Sequence, residues 1–218
     1  RTHDWPLING GQRIIDTHFV FPLMNQDPAN PANYYFAATD DILGMCRKEG
    51  FEVSYRLGSS IDHSSDNPYN VLPPEDPVKY AEVLAGIVRH YTRGWANGFQ
   101  WGDTMREWNI WEEPDNHPIL WHGSDEAFFR LFAIVLKRLK REFPELKFGG
   151  PATMRCDMGY FRKLLAARRE EGVAPDFLSW NGYGTDVAAM AARPAAVRAL
   201  LDEAGLDKCE TSFTEWHY

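Results

Sequence analysis

The sequence predicts an α/β fold, a (β/α)8 TIM barrel of which this chain supplies about strands two to seven. Helix and strand patterns alternate along the chain, with strands roughly thirty to fifty residues apart, which is typical of parallel strands joined by crossover helices. Long polar segments follow the strand ends, as they do where a barrel builds its site at the C-terminal face. No glycine-rich phosphate-binding motif stands at a strand-to-helix turn, which disfavours a nucleotide-binding sheet. Strands one and eight, and any accessory β-sandwich, are expected outside this chain.

The charge balance and the cysteines argue against several classes of protein. The 23 basic and 31 acidic residues give a net charge of −8, which disfavours nucleic acid and anionic membranes as partners. No run approaches the roughly eighteen apolar residues of a membrane span. The three cysteines are far apart and form no Cys-x-x-Cys pair, which indicates small apolar side chains rather than disulfides or zinc ligands. A leader peptide would precede residue 1, so localisation stays open, as does the oligomeric state.

The first part of the chain contains two predicted strands, a long loop and one helix. Residues 1–6 are interpreted as the end of the second barrel strand, and residues 7–36, rich in Gly, Asn and Pro, as a loop over one face. Thr39 is expected to cap a helix that Gly50 ends. Residues 51–58 alternate apolar and polar side chains, which predicts the third strand.

The remainder of the chain repeats helix and strand in turn. Asp76 and Pro77 form an N-cap and a first-turn proline, after which apolar residues recur at helical spacing. Ser124 is expected to cap the next helix. The further predicted strands are residues 105–113, 146–151, 176–183 and 209–215, and the later helices are residues 158–171 and 194–204.

One predicted strand end delivers two adjacent carboxylates. Residues 106–115 read Arg-Glu-Trp-Asn-Ile-Trp-Glu-Glu-Pro-Asp, and Pro114 is expected to end the strand because it has no N–H for the ladder. Alternation places Glu113 with the polar side of the strand and Glu112 on the other side, unless the strand bulges. Glu113 is therefore the first catalytic candidate. A solvated Glu-Glu-Pro turn is the alternative, and the tryptophans in the same stretch argue against it.

Glu215 ends the last predicted strand and gives Glu113 a partner. The C-terminal ends of strands four and seven face each other across the mouth of a barrel. Two close carboxylates suit glycoside hydrolysis, in which one gives a proton to the leaving oxygen and the other attacks the anomeric carbon. A separation of roughly 5 Å would predict retention of configuration. Burial beside a negative neighbour should raise the pKa of the acid.

Six segments together resemble a known family. They are residues 1–4 (Arg-Thr-His-Asp), 55–58 (Tyr-Arg-Leu-Gly), 106–115, 149–152 (Gly-Gly-Pro-Ala), 178–183 (Leu-Ser-Trp-Asn-Gly-Tyr) and 213–216 (Phe-Thr-Glu-Trp). In order and spacing this set resembles glycoside hydrolase family 39, the β-xylosidase and α-L-iduronidase family of clan A. The resemblance implies that residues 1–218 are a catalytic barrel fragment that performs a retaining double displacement on a glycoside or oligosaccharide, without a cofactor.

The resemblance also implies roles for particular residues. By position, Glu113 matches the acid/base and Glu215 matches the nucleophile. Tyr183 matches an aromatic residue near the nucleophile. His3 and Arg56 match polar positions that line the sugar pocket, although Arg56 is equally suited to be the counter-ion of an internal carboxylate.

Two positions depart from the family pattern. Glu112 stands where the family usually has an asparagine that bonds the sugar 2-hydroxyl, and Asn181 stands where it tends to have histidine. We count both as substrate-binding candidates. Trp216 is a further candidate, because its indole is suited to stacking on a sugar, with core packing as the alternative.

The residues leave three functions open. The first is a retaining glycosidase acting on a β-xyloside-like or related sugar. The alternatives are a clan A glycosidase of other sugar specificity and a carbohydrate-binding barrel that does not hydrolyse, which the extra carboxylate Glu112 favours. Asp115, His117 and His122 fit no recognised ligand spacing, so no metal site is predicted.

Overall fold

The computed structural model describes residues 1–3, 5, 13–61 and 68–217. A sheet of five strands runs through this part of the chain, and every neighbouring pair is parallel. The strands are β1 (Tyr55–Leu57), β2 (Glu107–Ile110), β3 (Lys147–Thr153), β4 (Phe177–Tyr183) and β5 (Glu210–His217), in that order across the sheet. Sequential parallel strands joined by helices are the arrangement of a (β/α)8 barrel. The predicted α/β fold, an incomplete barrel, is confirmed.

Six α-helices accompany the sheet in the described ranges. They are α1 (Thr17–Val20), α2 (Ala37–Lys48), α3 (Pro77–Arg93), α4 (Asp125–Glu142), α5 (Met158–Glu170) and α6 (Val187–Glu203). From β1 onward, one helix of this set lies between each strand and the next, as a crossover connection requires. Helix α4 packs against both α3 and α5, so the crossover helices form a continuous outer layer.

Side-chain caps fix the starts of the crossover helices, as the sequence predicts. The Asp76 carboxylate accepts hydrogen bonds from the N–H groups of Val78 and Lys79, and Pro77 occupies the first helical position of α3. Ser124 caps α4 by accepting from Ala127 N–H. These local signals were sufficient to locate both helix starts.

Two helix predictions are wrong at their N-termini. Thr39 does not cap α2, because the helix already begins at Ala37 and the buried Thr39 hydroxyl donates to Ile14 O instead. Helix α6 begins at Val187, seven residues before Pro194. The Asp186 side chain provides its N-cap by accepting from Ala189 N–H, and the proline lies inside the helix. Pro194 therefore lies within the predicted helix, but it does not begin it.

The strand predictions were too long at β1 and β2. Strand β1 has three residues, and residues 51–54 approach it without ladder pairing. The predicted strand at residues 1–6 is also wrong for its described residues, which have no strand assignment. Thr2 instead lies beside β1, where its N–H donates to Ser54 O at 2.8 Å and its hydroxyl accepts from Arg56 N at 2.9 Å.

The two faces of the sheet differ in chemistry. On the helix side, Trp108 stacks on Tyr55 with ring centroids 5.1 Å apart, and Tyr55 contacts Tyr91 of α3. On the inner side, the Ser179 hydroxyl donates to Asn109 Oδ1 at 3.0 Å. Trp108 therefore packs towards the helices, and the inner face of the sheet presents polar groups towards the site.

All three cysteines lie in the described part of the chain. Cys46, Cys156 and Cys209 are free thiols; Cys209 is buried and the other two are half-buried. None of the helices in the described part of the chain has the length and apolar character needed to cross a membrane.

Candidate active site

A turn directly after β2 presents two consecutive glutamates to the same space. Strand β2 ends at Ile110, and both Trp111 (φ 76°) and Glu113 (φ 40°) adopt left-handed backbone conformations. Glu113 N–H donates to Ala152 O at the end of β3, at 3.1 Å. Because the ladder has ended, alternation no longer separates Glu112 from Glu113. The sequence placed Glu112 on the other side unless the strand bulges, and this turn is such an irregularity, so both glutamates face the same space.

Glu113 is buried and bonded by two amides. Its Oε1 accepts from Asn181 Nδ2 at 2.9 Å, and its Oε2 accepts from Asn116 Nδ2 at 3.1 Å. Burial raises the pKa of Glu113 above its ordinary value, the two amide hydrogen bonds oppose this rise, and the negative charge of Glu215 adds to it. The group is therefore disposed to keep a proton.

Glu215, on β5, is surrounded by hydrogen-bond donors. Its Oε1 lies 2.9 Å from His3 Nε2 and contacts the guanidinium of Arg1, while Tyr183 donates its phenolic hydrogen to Oε2. Burial acts to raise the pKa of Glu215, but the hydrogen bonds from His3 and Tyr183 and the charge of Arg1 outweigh it and lower the pKa to about 2. Glu215 is therefore ionised at neutral pH.

Glu112 is the most deeply buried of the three carboxyl groups. Its Oε1 accepts from Asn181 Nδ2 at 3.1 Å, and its Oε2 contacts the Arg1 guanidinium. Burial raises the pKa of Glu112, the positive charges of Arg1 and Arg56 oppose the rise, and the charge of Glu215 adds to it. Glu112 thus belongs to the same hydrogen-bonded cluster as Glu113 and Glu215. The other side chains of this cluster are Arg1, His3, Asn116, Asn181, Tyr183 and Thr214.

Asn181 stands at a break in the register between β4 and β5. Trp180 pairs with Phe213, whereas Asn181 pairs with Glu215, so Thr214 is the extra residue of a bulge. The Thr214 hydroxyl donates to Asn181 Oδ1 at 2.7 Å, which leaves the Asn181 amide nitrogen to donate to the carboxylates. The bulge therefore fixes which end of the Asn181 amide faces the glutamates.

Arg56 is fully buried among the described residues, and its substrate-binding role stays a prediction. Its side chain is 0% exposed, and its Nη2 lies 2.9 Å from Asp16 Oδ1 and 2.6 Å from Ser60 Oγ. Of the two roles that the sequence left open, the counter-ion of an internal carboxylate is the one this geometry favours.

The two aromatic candidates differ in their contacts. Tyr183 is half exposed at the end of β4 and bonds Glu215 directly. Trp216 is adjacent to Glu215 in β5, so strand alternation places its side chain on the opposite face, where it is largely exposed. A stacking role for Trp216 stays a prediction.

Three residues of the cluster were not among the sequence-derived candidates. Arg1 belongs to the same segment as His3, but only the histidine received a role. Asn116 follows Glu113 by three residues, a spacing that carried no signal by itself. Thr214 enters through the bulge, which depends on pairing between β4 and β5 and leaves no mark in the sequence.

Three potential metal ligands of the cluster lie close together: His3, Glu112 and Glu215. Their ligand atoms lie within 4.8 Å of one another. The Arg1 guanidinium already contacts both carboxylates, so a cation at this place would have to displace it. Asp115 and His117 are engaged separately: Asp115 accepts from the N–H groups of Met154 and Arg155, and His117 lies 2.7 Å from Asp125.

These observations define a parallel α/β domain of barrel type with a cluster of carboxylates at the C-terminal ends of its strands. Such strand ends are where barrel enzymes place their chemistry. The profile described as "Glycosyl hydrolases family 39" matches residues 11–199. The chain belongs to this family, which confirms the resemblance seen in the sequence segments.

Individual relatives are similar to this chain in sequence or in fold. A β-xylosidase from Caldicellulosiruptor saccharolyticus is 28% identical over 121 residues, which are 55% of this chain and 23% of the relative. A glucosidase from Croceicoccus marinus is similar in structure, with a TM-score of 0.79 and 32% identity over 90% of this chain and 41% of the other.

A monomeric β-xylosidase from Caulobacter crescentus shares the fold, with a TM-score of 0.64 and 19% identity over 84% of this chain and 41% of the other. The chain spans about a quarter of the curated β-xylosidase's length.

Proposed function

We propose that the full-length protein is a retaining glycoside hydrolase that works by double displacement, with Glu113 as acid/base and Glu215 as nucleophile. The observation that supports this most directly is the opposite direction of the two pKa shifts within one cluster. Burial raises the pKa of Glu113, whereas donors around Glu215 lower its pKa to about 2. The reaction requires one carboxyl group disposed to give a proton and one disposed to stay ionised, and the two shifts have these directions.

In the first step, Glu215 attacks the anomeric carbon while Glu113 gives its proton to the departing oxygen. The carbon–oxygen bond to the leaving group breaks as an ester bond to Glu215 forms. In the second step, the ionised Glu113 takes a proton from water, and the resulting attack releases the sugar and restores Glu215. Two displacements at the same carbon return the original configuration.

Other members of the cluster have supporting roles in this proposal. His3 is partly exposed beside Glu215 and is placed to bond a sugar hydroxyl as well as the nucleophile. Tyr183 and Arg1 hold the attacking carboxylate in place. Asn181 and Asn116 orient Glu113. Trp216 lies on the face of β5 opposite Glu215, outside the cluster, and its stacking role stays a prediction.

The β-xylosidase relatives favour a β-xyloside-like or related sugar as substrate. The glucosidase from Croceicoccus marinus, whose structure is similar over most of this chain, favours a second candidate within the same mechanism, a glycosidase with a different sugar specificity. A hexoside differs from a xyloside by the hydroxymethyl group on C5, so the space around C5 of the bound sugar decides between the two.

The test is hydrolysis of a panel of aryl β-glycosides by the full-length protein. We expect Glu215→Ala to abolish turnover and added azide to restore it, with a glycosyl azide of inverted configuration as product. Glu210→Ala is the matched control, because Glu210 lies on the same strand but pairs with Lys147 at the far end. Activity in Glu215→Ala without azide, or no azide product, would remove the nucleophile role.

A carbohydrate-binding barrel without hydrolysis is the remaining alternative, and the buried Glu112 beside Arg1 is the observation that favours it. Binding of xylo-oligosaccharides with no turnover of any activated glycoside would support this alternative and contradict the hydrolase proposal.

A further inference from the structure

Glu112 lies between the two proposed catalytic carboxylates and is joined to each through one intermediate side chain. We propose that Glu112 is a positioning residue that holds the acid/base and the nucleophile in a fixed relation. This inference rests on the proposed function. It gives a role to the residue that departs from the family pattern.

The link to Glu113 runs through Asn181. The single Asn181 Nδ2 donates to Glu112 Oε1 at 3.1 Å and to Glu113 Oε1 at 2.9 Å. A primary amide has two N–H bonds, so each carboxylate receives one. Glu112 thereby fixes the rotation of the amide that orients the proton donor.

The link to Glu215 runs through Arg1. The guanidinium contacts Glu112 Oε2 through one terminal nitrogen and Glu215 Oε1 through the other. When Glu215 becomes an ester, its negative charge is lost and its attraction for Arg1 falls. Glu112 then remains as the counter-ion of Arg1 and keeps the guanidinium beside the anomeric centre for the second displacement.

A direct contact between Glu112 and substrate does not fit the geometry. Glu112 is the least exposed of the three carboxyl groups, at 2%, and its Oε2 is paired with the Arg1 guanidinium, whereas Glu113 has amide partners only within the described part of the chain. The influence of Glu112 on the reaction therefore passes through Arg1 and Asn181.

The test variant is Glu112→Gln in the full-length protein. Both neighbours of Glu112 are donors, and a glutamine side chain has one acceptor oxygen where the carboxylate has two. The positive guanidinium of Arg1 disfavours a facing NH2 group, so we expect the glutamine oxygen to stay with Arg1 and the NH2 group to face the Asn181 donor. The Arg1 link then loses its negative partner and the Asn181 link loses its acceptor, so both links are weakened. Glu107→Gln is the matched control: Glu107 starts the same strand, and its carboxylate accepts from Ser54 Oγ at 2.9 Å, away from the cluster.

We expect kcat/KM of Glu112→Gln to fall about tenfold with an aryl glycoside whose leaving group needs no protonation, because Glu215 is affected. With a poor leaving group we expect kcat/KM to fall by about a further tenfold, because Glu113 is affected as well. The total loss is of the size found when outer hydrogen-bond partners of metal ligands are removed. An unchanged rate with the activated substrate would overturn the Arg1 link. Equal losses with both substrates would overturn the Asn181 link. Either result removes the proposal that Glu112 serves both carboxylates.

A double-mutant cycle separates positioning from a general structural effect. If Glu112 acts on Glu215 through Arg1, its substitution should cost much less in an Arg1→Met background, measured with the activated substrate. Additive losses would contradict the proposal. Should Glu112→Gln fail to fold, Glu112→Asp is the second variant. It keeps the charge but is one methylene too short for both links. We expect the same loss in kcat/KM with the activated substrate and the same larger loss with the poor leaving group.

Trapping with a 2-deoxy-2-fluoroglycosyl fluoride separates this inference from the proposed function. Labelling of Glu215 in the wild-type protein supports the double displacement whatever Glu112 does. Wild-type labelling and turnover with an unimpaired Glu112→Gln variant would overturn the inference alone. A wild-type protein that neither hydrolyses nor becomes labelled would overturn both.

Discussion

The phenolic hydroxyl of Tyr183 donates a hydrogen bond to Oε2 of Glu215 and so joins the C-terminal ends of β4 and β5. The hydrogen bond favours the ionised carboxylate, because a carboxylate oxygen accepts it more strongly than a protonated carboxyl group. Tyr183 is in turn affected by its partner: burial first, and then Glu215, raise its pKa well above the ordinary value, so that the donor remains protonated.

Removing this donor should move the acidic limb of the activity profile. In Tyr183→Phe we expect the pKa of Glu215 to rise from its present value of about 2, so that the nucleophile is protonated at higher pH. The acidic limb of kcat/KM should therefore shift to higher pH, and the rate at the optimum should fall by about 10-fold. The measurement is the pH profile of an activated aryl glycoside. Tyr35→Phe, at an exposed position, is the control, and an unmoved acidic limb would contradict the assignment.

The basic limb should respond to Asn116. This amide donates to Glu113 Oε2 at 3.1 Å and opposes the rise in the pKa of Glu113 that burial causes. In Asn116→Ala we expect that pKa to rise further, so Glu113 stays protonated at higher pH and the basic limb moves upward. The acidic limb should not move, which separates the two carboxylates within one experiment. Asn33→Ala, which removes an amide donor to Asp27 O outside the cluster, is the control, and a downward shift of the basic limb would be incompatible with the assignment.

Glu113→Gln should discriminate between leaving groups. A glutamine cannot protonate the departing oxygen, so poor leaving groups should lose about 10²- to 10⁴-fold in kcat/KM, whereas activated aryl groups should lose much less in the first step. The measurement is a series of aryl glycosides of graded leaving-group pKa. Asp125→Asn, beside His117 in the following loop, is a control that retains Glu113. Equal loss across the series would show that Glu113 is not the proton donor.

The buried pair of Asp16 and Arg56 should matter for stability. Both side chains are 0% exposed, and Asp16 also accepts from Ser60 N–H at 2.9 and 3.0 Å. Asp16→Asn removes the negative partner and leaves a buried guanidinium, which should cost about 3–5 kcal/mol in the free energy of unfolding. Urea unfolding of the full-length protein gives this value.

The control for the Asp16 experiment is the exposed pair of Arg162 and Glu203, 3.5 Å apart. Glu203→Gln should change the free energy of unfolding by less than about 0.5 kcal/mol, as is usual for surface substitutions. Equal effects of the two substitutions would show that burial of the Asp16 pair has no energetic consequence.

Gly58 is required at the end of β1 because Trp111 lies against it. Its φ is +114°, and a Cβ there would meet the Trp111 ring and backbone at 3.1–3.2 Å. Gly58→Ala should cost about 1–3 kcal/mol through backbone strain and overpacking. It should also displace Trp111 and with it the turn that presents the two glutamates, so activity should fall together with the unfolding midpoint. Gly172→Ala is a useful comparison, because its φ of +64° is also positive but nothing lies within 4 Å.

The sequence determined the order of the elements and the class of the fold. Helix α3 was located by Asp76 and Pro77, because a cap and a first-turn proline act on groups within three residues of themselves. Parallel order followed from the alternation of such local signals. The positions of Glu113 and Glu215 at strand ends followed as well, since each strand was recognisable from its own residues.

The tertiary structure decided how the side chains of the cluster face one another. The turn after Ile110 brings Glu112 beside Glu113, and its backbone is held by Ala152 from another strand. The Thr214 bulge depends on pairing between β4 and β5, and the burial of Arg56 depends on Asp16, forty residues away. Contacts of this kind join distant parts of the chain, so local periodicity and capping carry no information about them.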